Sequence, residues 1–174
     1  MKTKSFLLLA IFLGVLLLSG NLLFAQEDIQ KHKSCPYCGM DREKFAHSRM
    51  LIMYDDGSEV GLCSLHCAAV ELSLKLDKMP SSIWVGDYNT KKLIDAEKAI
   101  WVIGGNKPGV MSKNAKWAFE KKEDAEAFAK YNMGAISMFD QAVKVTYQDM
   151  YSDTKMIRDK RKMMKTQKPA QHGH

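Results

Sequence analysis

The pattern of apolar and polar positions divides the chain into three stretches. Residues 5–25, "SFLLLAIFLGVLLLSGNLLFA", are almost wholly apolar, follow the basic start "MKTK" and give way to the polar "QEDIQKHK". A basic start, an apolar run and a small residue before the polar change read as a secretory signal. Cleavage is expected after Ala25, although Leu23 stands where a small residue is preferred. The run is also long enough to stay as a membrane anchor. No cysteine closes it, so it lacks a lipid-acceptor site. The expectation is an exported, periplasmic protein, in contact with a membrane only if the leader is uncleaved.

From about residue 35 the pattern changes to short strands and helices. "SRMLIMYDDGSEVGLCS" reads as two strands joined by "DDG", whose glycine suits a tight hairpin. "LHCAAVELSLKL" has helical composition, "KMPSS" breaks it, and "SIWVGDY" is a further strand. The second half repeats the order. "AIWVIGG" and "AKWAFE" are strands, "KKEDAEAFAKYNMGA" is a helix with acidic residues in its first turn, and "AISMFD" is a strand. Gly134 is expected to cap that helix. The prediction is an α+β fold of two ββαβ units, about residues 35–88 and 99–143, within a domain spanning 26–145. "FDQAVKVTYQDMY" reads as a final helix with unclear ends. Residues 146–174 are expected to be a disordered basic extension.

Charge adds little to this picture. The formal net charge is +6, and the two leader lysines account for part of it. Most of the remaining excess lies in "TKMIRDKRKMMKTQKPAQHGH", with seven Lys or Arg against one Asp. The body has no basic stripe interleaved with aromatics, so no nucleic-acid partner is expected.

Cysteine carries the chemistry. All four cysteines fall in "SCPYCGM" and "GLCSLHCA", with the spacing C-x2-C-x24-C-x3-C. Cys35 and Cys38 lie on a loop before the first strand, and Cys63 and Cys67 lie where the hairpin enters the helix. A knuckle and a helix N-terminus can gather four sulfurs around one ion, and the helix end favours thiolate. Three readings stand. An exported chain with an even cysteine count suits disulfides. Four closed ligands suit structural zinc. Thiolate beside thioether suits Cu(I), and Met40 sits two residues after Cys38, with His66 between Cys63 and Cys67.

The other candidates are weighed against packing. Met50, Met53, Met133 and Met138 read as filler, His47 as a hairpin-edge residue and His32 as solvated. Met111 follows the loop signal "NKPGV" and is a candidate ligand at a pocket rim. No nucleophile–base pair, phosphate loop or Ser-His-Asp pattern marks an enzyme. Thiol chemistry on an organomercurial would need two close thiols and an acid such as Asp41, and nothing else supports it. "CPYC" leads to a hairpin and not directly into a helix, unlike thioredoxin-type redox motifs.

At "CPYCGM", "PGVM" and "KWAFEKKEDAEAFAKYNMG", from about Cys35 to Gln141, the chain resembles the NosL family of exported copper-binding accessory proteins of nitrous oxide reductase assembly. The resemblance implies two ββαβ units of the organomercurial-lyase kind and one Cu(I), passed to an assembly partner or to nitrous oxide reductase. On the family's pattern Cys38 and Met40 fall in "CGM", and Met111 falls ahead of a strand of the second unit. "CPYCGM" with "GLCSLHC" also resembles the short TRASH or YHS metal-binding motifs, so general heavy-metal resistance is the alternative. The expected metal ligands come from Cys35, Cys38, Met40, Cys63, Cys67, His66 and Met111, with zinc the alternative ion.

Overall fold

The computed structural model describes residues 27–167, so the leader and its expected cleavage point lie outside the described residues. A short helix, α1 (Glu27–Lys31), precedes the cysteine loop. The first unit then runs β1 (Met50–Tyr54), β2 (Glu59–Leu62), α2 (Leu65–Leu74) and β3 (Pro80–Gly86). The hairpin turn falls at "DDG", where Gly57 takes φ +79° and Tyr54 N–H donates to Ser58 O at 2.9 Å. Strand β1 lies between β2 and β3, both antiparallel to it, and β4 (Leu93–Asp95) adds to β3. Met50, Ile52 and Tyr54 turn one face of β1 inward; on the other face Leu51 is also buried and only Met53 is exposed.

The second unit is β5 (Ile100–Ile103), β6 (Lys116–Phe119), α3 (Lys122–Asn132) and β7 (Ala135–Ser137), with β5 between β6 and β7. The same pairing scheme therefore recurs, and the expected ββαβ repeat is present in an α+β fold. Strand β4 is an addition that its three residues made too short to read. Glu123 and Asp124 sit in the first turn of α3, where the helix dipole favours them. Its left-handed C-terminal residue is Met133, with φ 57°, and not Gly134 as expected. Gly134 is required for another reason: a Cβ there would lie 2.5 Å from Val102 Cγ1.

The two sheets join at Asp87 and Tyr88. Tyr88 N–H donates to Ala118 O at 2.8 Å, and Asp87 Oδ2 accepts from Glu120 N–H at 2.9 Å. Around this seam an aromatic cluster forms, with the Tyr88 ring centroid 4.7 Å from Phe128 and 5.3 Å from Trp117. His47 belongs to it, 5.5 Å from Trp117, and burial together with Lys91 and Lys107 pushes its imidazole below the usual range. The expected hairpin-edge histidine is thus part of the inter-unit packing.

The largest departure from expectation is at the C-terminal end. Residues anticipated as a disordered extension continue a single helix, α4 (Phe139–Gln167), of 29 residues. At about 1.5 Å per residue it is about 43 Å long. A polar, basic stretch can still fold when its few apolar and acidic positions share one face, and here they do. Thr146 and Asp153 are fully buried. Tyr147 OH donates to Ala69 O of α2 at 3.1 Å, Asp149 accepts from Lys116 Nζ at 2.9 Å, and Asp153 accepts from Lys113 N–H at 2.9 Å. The helix therefore bridges both units. Among the described residues no helix is long and apolar enough to cross a membrane.

Candidate metal centre

The loop before β1 is a tight knuckle. Met40 O accepts from Cys35 N–H at 2.9 Å, and Cys35 O accepts from Gly39 N–H at 2.8 Å. Gly39 has φ +75°, a left-handed backbone that glycine adopts without steric cost. This closure aims both loop cysteines at the junction of β2 and α2. Cys63 ends the hairpin, and Ser64, with an extended backbone, starts the helix whose first turn carries Cys67.

Buried charge fixes the loop against the hairpin. Asp28 of α1 takes hydrogen bonds from Arg42 Nη2 at 2.7 Å and from Arg49 Nε at 2.8 Å, and both arginines are fully buried. Arg42 also donates to Leu62 O at 3.1 Å, the carbonyl just before Cys63. Burial alone would raise the Asp28 carboxyl, but the bonds and charge of Arg49 and Arg42 outweigh it, and its net shift is downward. On the other side Glu71 of α2 accepts from Tyr54 OH at 2.8 Å and from Tyr37 OH of the knuckle. Neither anchor was legible in the sequence.

The sulfurs of Cys35, Cys38, Cys63 and Cys67 all lie within 4.8 Å of one another. Cys38 and Cys63 are 3.3 Å apart and Cys63 and Cys67 are 3.7 Å apart. All four are free thiols, and these separations far exceed the ~2.05 Å of a disulfide. A tetrahedral ion with ~2.3 Å bonds to sulfur needs sulfur–sulfur edges of about 3.8 Å. The cluster fits such an ion after small adjustments. Cys35, Cys63 and Cys67 are buried, and Cys38 is half-buried.

Crowding separates the thiols chemically. The Cys35 thiol is pushed down because Cys38, Cys63 and Cys67 can each donate to its thiolate. Cys63 and Cys67 are pushed up, first by the neighbouring Cys35 and Cys38 and further by burial. A soft cation entering such a cluster displaces the protons of its thiols.

The remaining expected ligands are placed differently. Met40 and Met111 line a cavity of about 320 Å³ together with Cys38. Met111 has φ 59°, uncommon for a side chain of its size. His66 faces the other way: its Nδ1 lies 3.7 Å from Asp153 Oδ2 of α4. Burial lowers the His66 imidazole despite that carboxylate. Met156 and Met164, tail methionines that the expectation of a disordered extension set aside as at most weak metal contacts, reach the same cavity from α4. Their signal was an eight-residue spacing, two helical turns, which puts both on one face once the segment is known to be helical.

Paired ββαβ units carrying four clustered thiols define a thiol-rich metal-binding protein. A model of the NosL family matches residues 26–147, and the chain belongs to that family. Among solved structures, the copper chaperone NosL from Shewanella denitrificans is similar, at 23% identity and a TM-score of 0.49, over 62% of this chain and 87% of that one. A comparison with curated proteins gives no match.

Proposed function

We propose that this protein is an exported, non-catalytic Cu(I) chaperone that carries its ion from the thiol cluster to an assembly partner, with nitrous oxide reductase as the final recipient. One observation carries the choice of ion. The half-buried member of the cluster, Cys38, opens onto a cavity lined by thioethers, among them Met40 and Met111. Thioether and thiolate together select soft monovalent copper, whereas zinc has no use for methionine. Family membership supports the same reading.

Each group has a definite task. The buried thiols Cys35, Cys63 and Cys67 hold the ion away from water and oxidants. Cys38 is the arm through which ligands exchange, because an incoming thiolate or thioether can reach it first. Met40 and Met111 stand beside it as neutral donors that loosen the ion without releasing it into solution. His66, whose Nδ1 lies 3.7 Å from Asp153 Oδ2 of α4, is given no part in holding the ion.

Anaerobic titration of reduced protein against a competing Cu(I) chelator tests this. One tight equivalent is expected. Loss of an outer partner of a metal ligand costs about 10–100-fold in affinity, so Cys38→Ser is expected to cost at least about a hundredfold. Tight zinc retained against excess Cu(I) would refute the choice of ion. A deletion strain should make nitrous oxide reductase polypeptide short of copper at low external copper, and normal loading would refute the recipient.

A further inference from the structure

The family match ends at residue 147, yet α4 continues to Gln167 and places Met156 and Met164 against the cavity that Cys38, Met40 and Met111 line. Arg161 of the same helix reaches Cys38 O, at 3.3 Å, so the contact between α4 and the knuckle is a specific one. Met156 is half-buried, while Met164 is 60% exposed. Eight residues of helix separate their Cα atoms by about 12 Å. That is too far for the two thioethers to share one ion comfortably, and it is well suited to two successive stopping points.

We propose that α4 forms a thioether port for Cu(I), with Met164 at the mouth and Met156 inside, through which the ion passes to and from Cys38. The proposal rests on the Cu(I) reading above and adds a route that the family's own region does not contain. Packing alone explains it poorly. Met164 is mostly in solvent, so enclosure in a core does not account for its place at the cavity. Met111, which lines the same cavity, holds a left-handed backbone, the kind of local strain found at functional sites.

Lys160 and Arg161 line the same cavity. They oppose a bare cation and draw an anionic copper complex toward the port. No redox step is involved: each stage forms one Cu–S bond and breaks one bond from copper to its previous donor, a chelator nitrogen on entry or a sulfur thereafter, the thiol that accepts copper releases its proton to water, and copper stays monovalent. Thioethers are neutral and soft, so they bind Cu(I) weakly enough to let it go. They therefore act on the rate of transfer and leave the equilibrium affinity of the thiol cluster alone.

The test compares the full protein with the M156L/M164L variant, a substitution that nearly conserves volume. Uptake of Cu(I) from its anionic bis-bicinchoninate complex, and its return to excess chelator, are both expected to slow by about tenfold, with the dissociation constant unchanged. In the wild-type protein, carbon-13 labelled methionine methyl groups at 156 and 164 are expected to shift when Ag(I), an inert analogue of Cu(I), exceeds the capacity of the cluster. Unchanged transfer rates overturn the port, and so do silent methyl groups. Failure of the Cu(I) reading shows separately, as wild-type protein lacking thiolate-to-copper absorption in the ultraviolet, while the Ag(I) methyl shifts still report on Met156 and Met164.

Discussion

Substituting Asp28 by Asn removes one negative charge and almost no volume. The carboxylate is 8% exposed and receives three charged hydrogen bonds, at 2.7 Å from Arg42 Nη2, 2.8 Å from Arg49 Nε and 3.0 Å from Arg49 Nη2. Both guanidinium groups are 0% exposed. Removing one partner of a buried ion pair costs about 3–5 kcal/mol, because the remaining charge is left in a medium that solvates it poorly. The asparagine oxygen still accepts one bond, which favours the lower half of that range. At about 2–4 °C per kcal/mol for a chain of this size, a fall in melting temperature of about 6–16 °C is expected. Thermal unfolding followed by far-ultraviolet circular dichroism measures it.

The sign of the pH dependence supplies a second check. The folded Asp28 carboxyl lies below its ordinary value of 3.8. Its contribution is therefore complete above the unfolded value and is lost as pH falls through the folded one. The gap between wild type and Asp28→Asn should be constant near neutrality and shrink below about pH 4. Because Arg42 also holds Leu62 O beside Cys63, the variant should bind metal more weakly as well. A stability loss under about 1 kcal/mol, or an equal acid dependence in the two proteins, would refute the assignment of Asp28 as the electrostatic anchor of the cysteine loop.

Three further outcomes follow from the same geometry. Glu71→Gln leaves Tyr37 and Tyr54 to share one weaker acceptor and should cost about 1–3 kcal/mol in chemical denaturation. Gly61→Ala places a Cβ 2.4 Å from His32 Cβ and 2.6 Å from Arg42 Cζ, so the buried arginine must move, at a cost of about 1–3 kcal/mol by the same assay. Because burial and neighbouring thiols push Cys63 and Cys67 up, metal binding should release protons, and its affinity should fall as pH drops in chelator competition; a flat profile between neutral and mildly acid pH would contradict this.

Legibility in the sequence followed the range of the interactions involved. Local signals were readable: "DDG" at a hairpin and acidic residues opening α3 both act within a few residues. The four cysteines were readable because their chemistry is rare enough to be grouped without knowing the fold. The Asp28–Arg42–Arg49 cluster was hidden, since a charge in sequence reads as surface until a partner is known to be buried with it. The helical end of the chain was hidden for the opposite reason. Its composition is that of a solvated tail, and its order comes from tertiary bonds such as Lys116 to Asp149 and Tyr147 to Ala69. Met133 and Gly134 show a subtler limit: glycine was needed, but for the approach of Val102 and not for a left-handed cap.

On the transfer role proposed above, the arrangement of the site answers a conflict between holding an ion and releasing it. Four enclosed thiolates would bind a soft ion too firmly to surrender, and an open loop of thiols would oxidise outside the cytoplasm. Here the conflict is divided among elements of different rigidity. Cys63 and Cys67 stand at a strand–helix junction that the first sheet makes stiff, and Cys35 is buried beneath the knuckle. Cys38 belongs to the same knuckle but faces the methionine cavity, so one bond to the ion can be exchanged while the rest persist. The knuckle is itself restrained from three sides, by Arg42 at its base, by Tyr37 on Glu71 and by Arg161 at Cys38. Release then requires movement of a single side chain at the edge of a fixed frame, not opening of the fold. On the proposed transfer reading, control lies in the residues around Cys38, and the second ββαβ unit, which carries Met111 and the loop on which α4 docks, builds the wall past which the ion would leave.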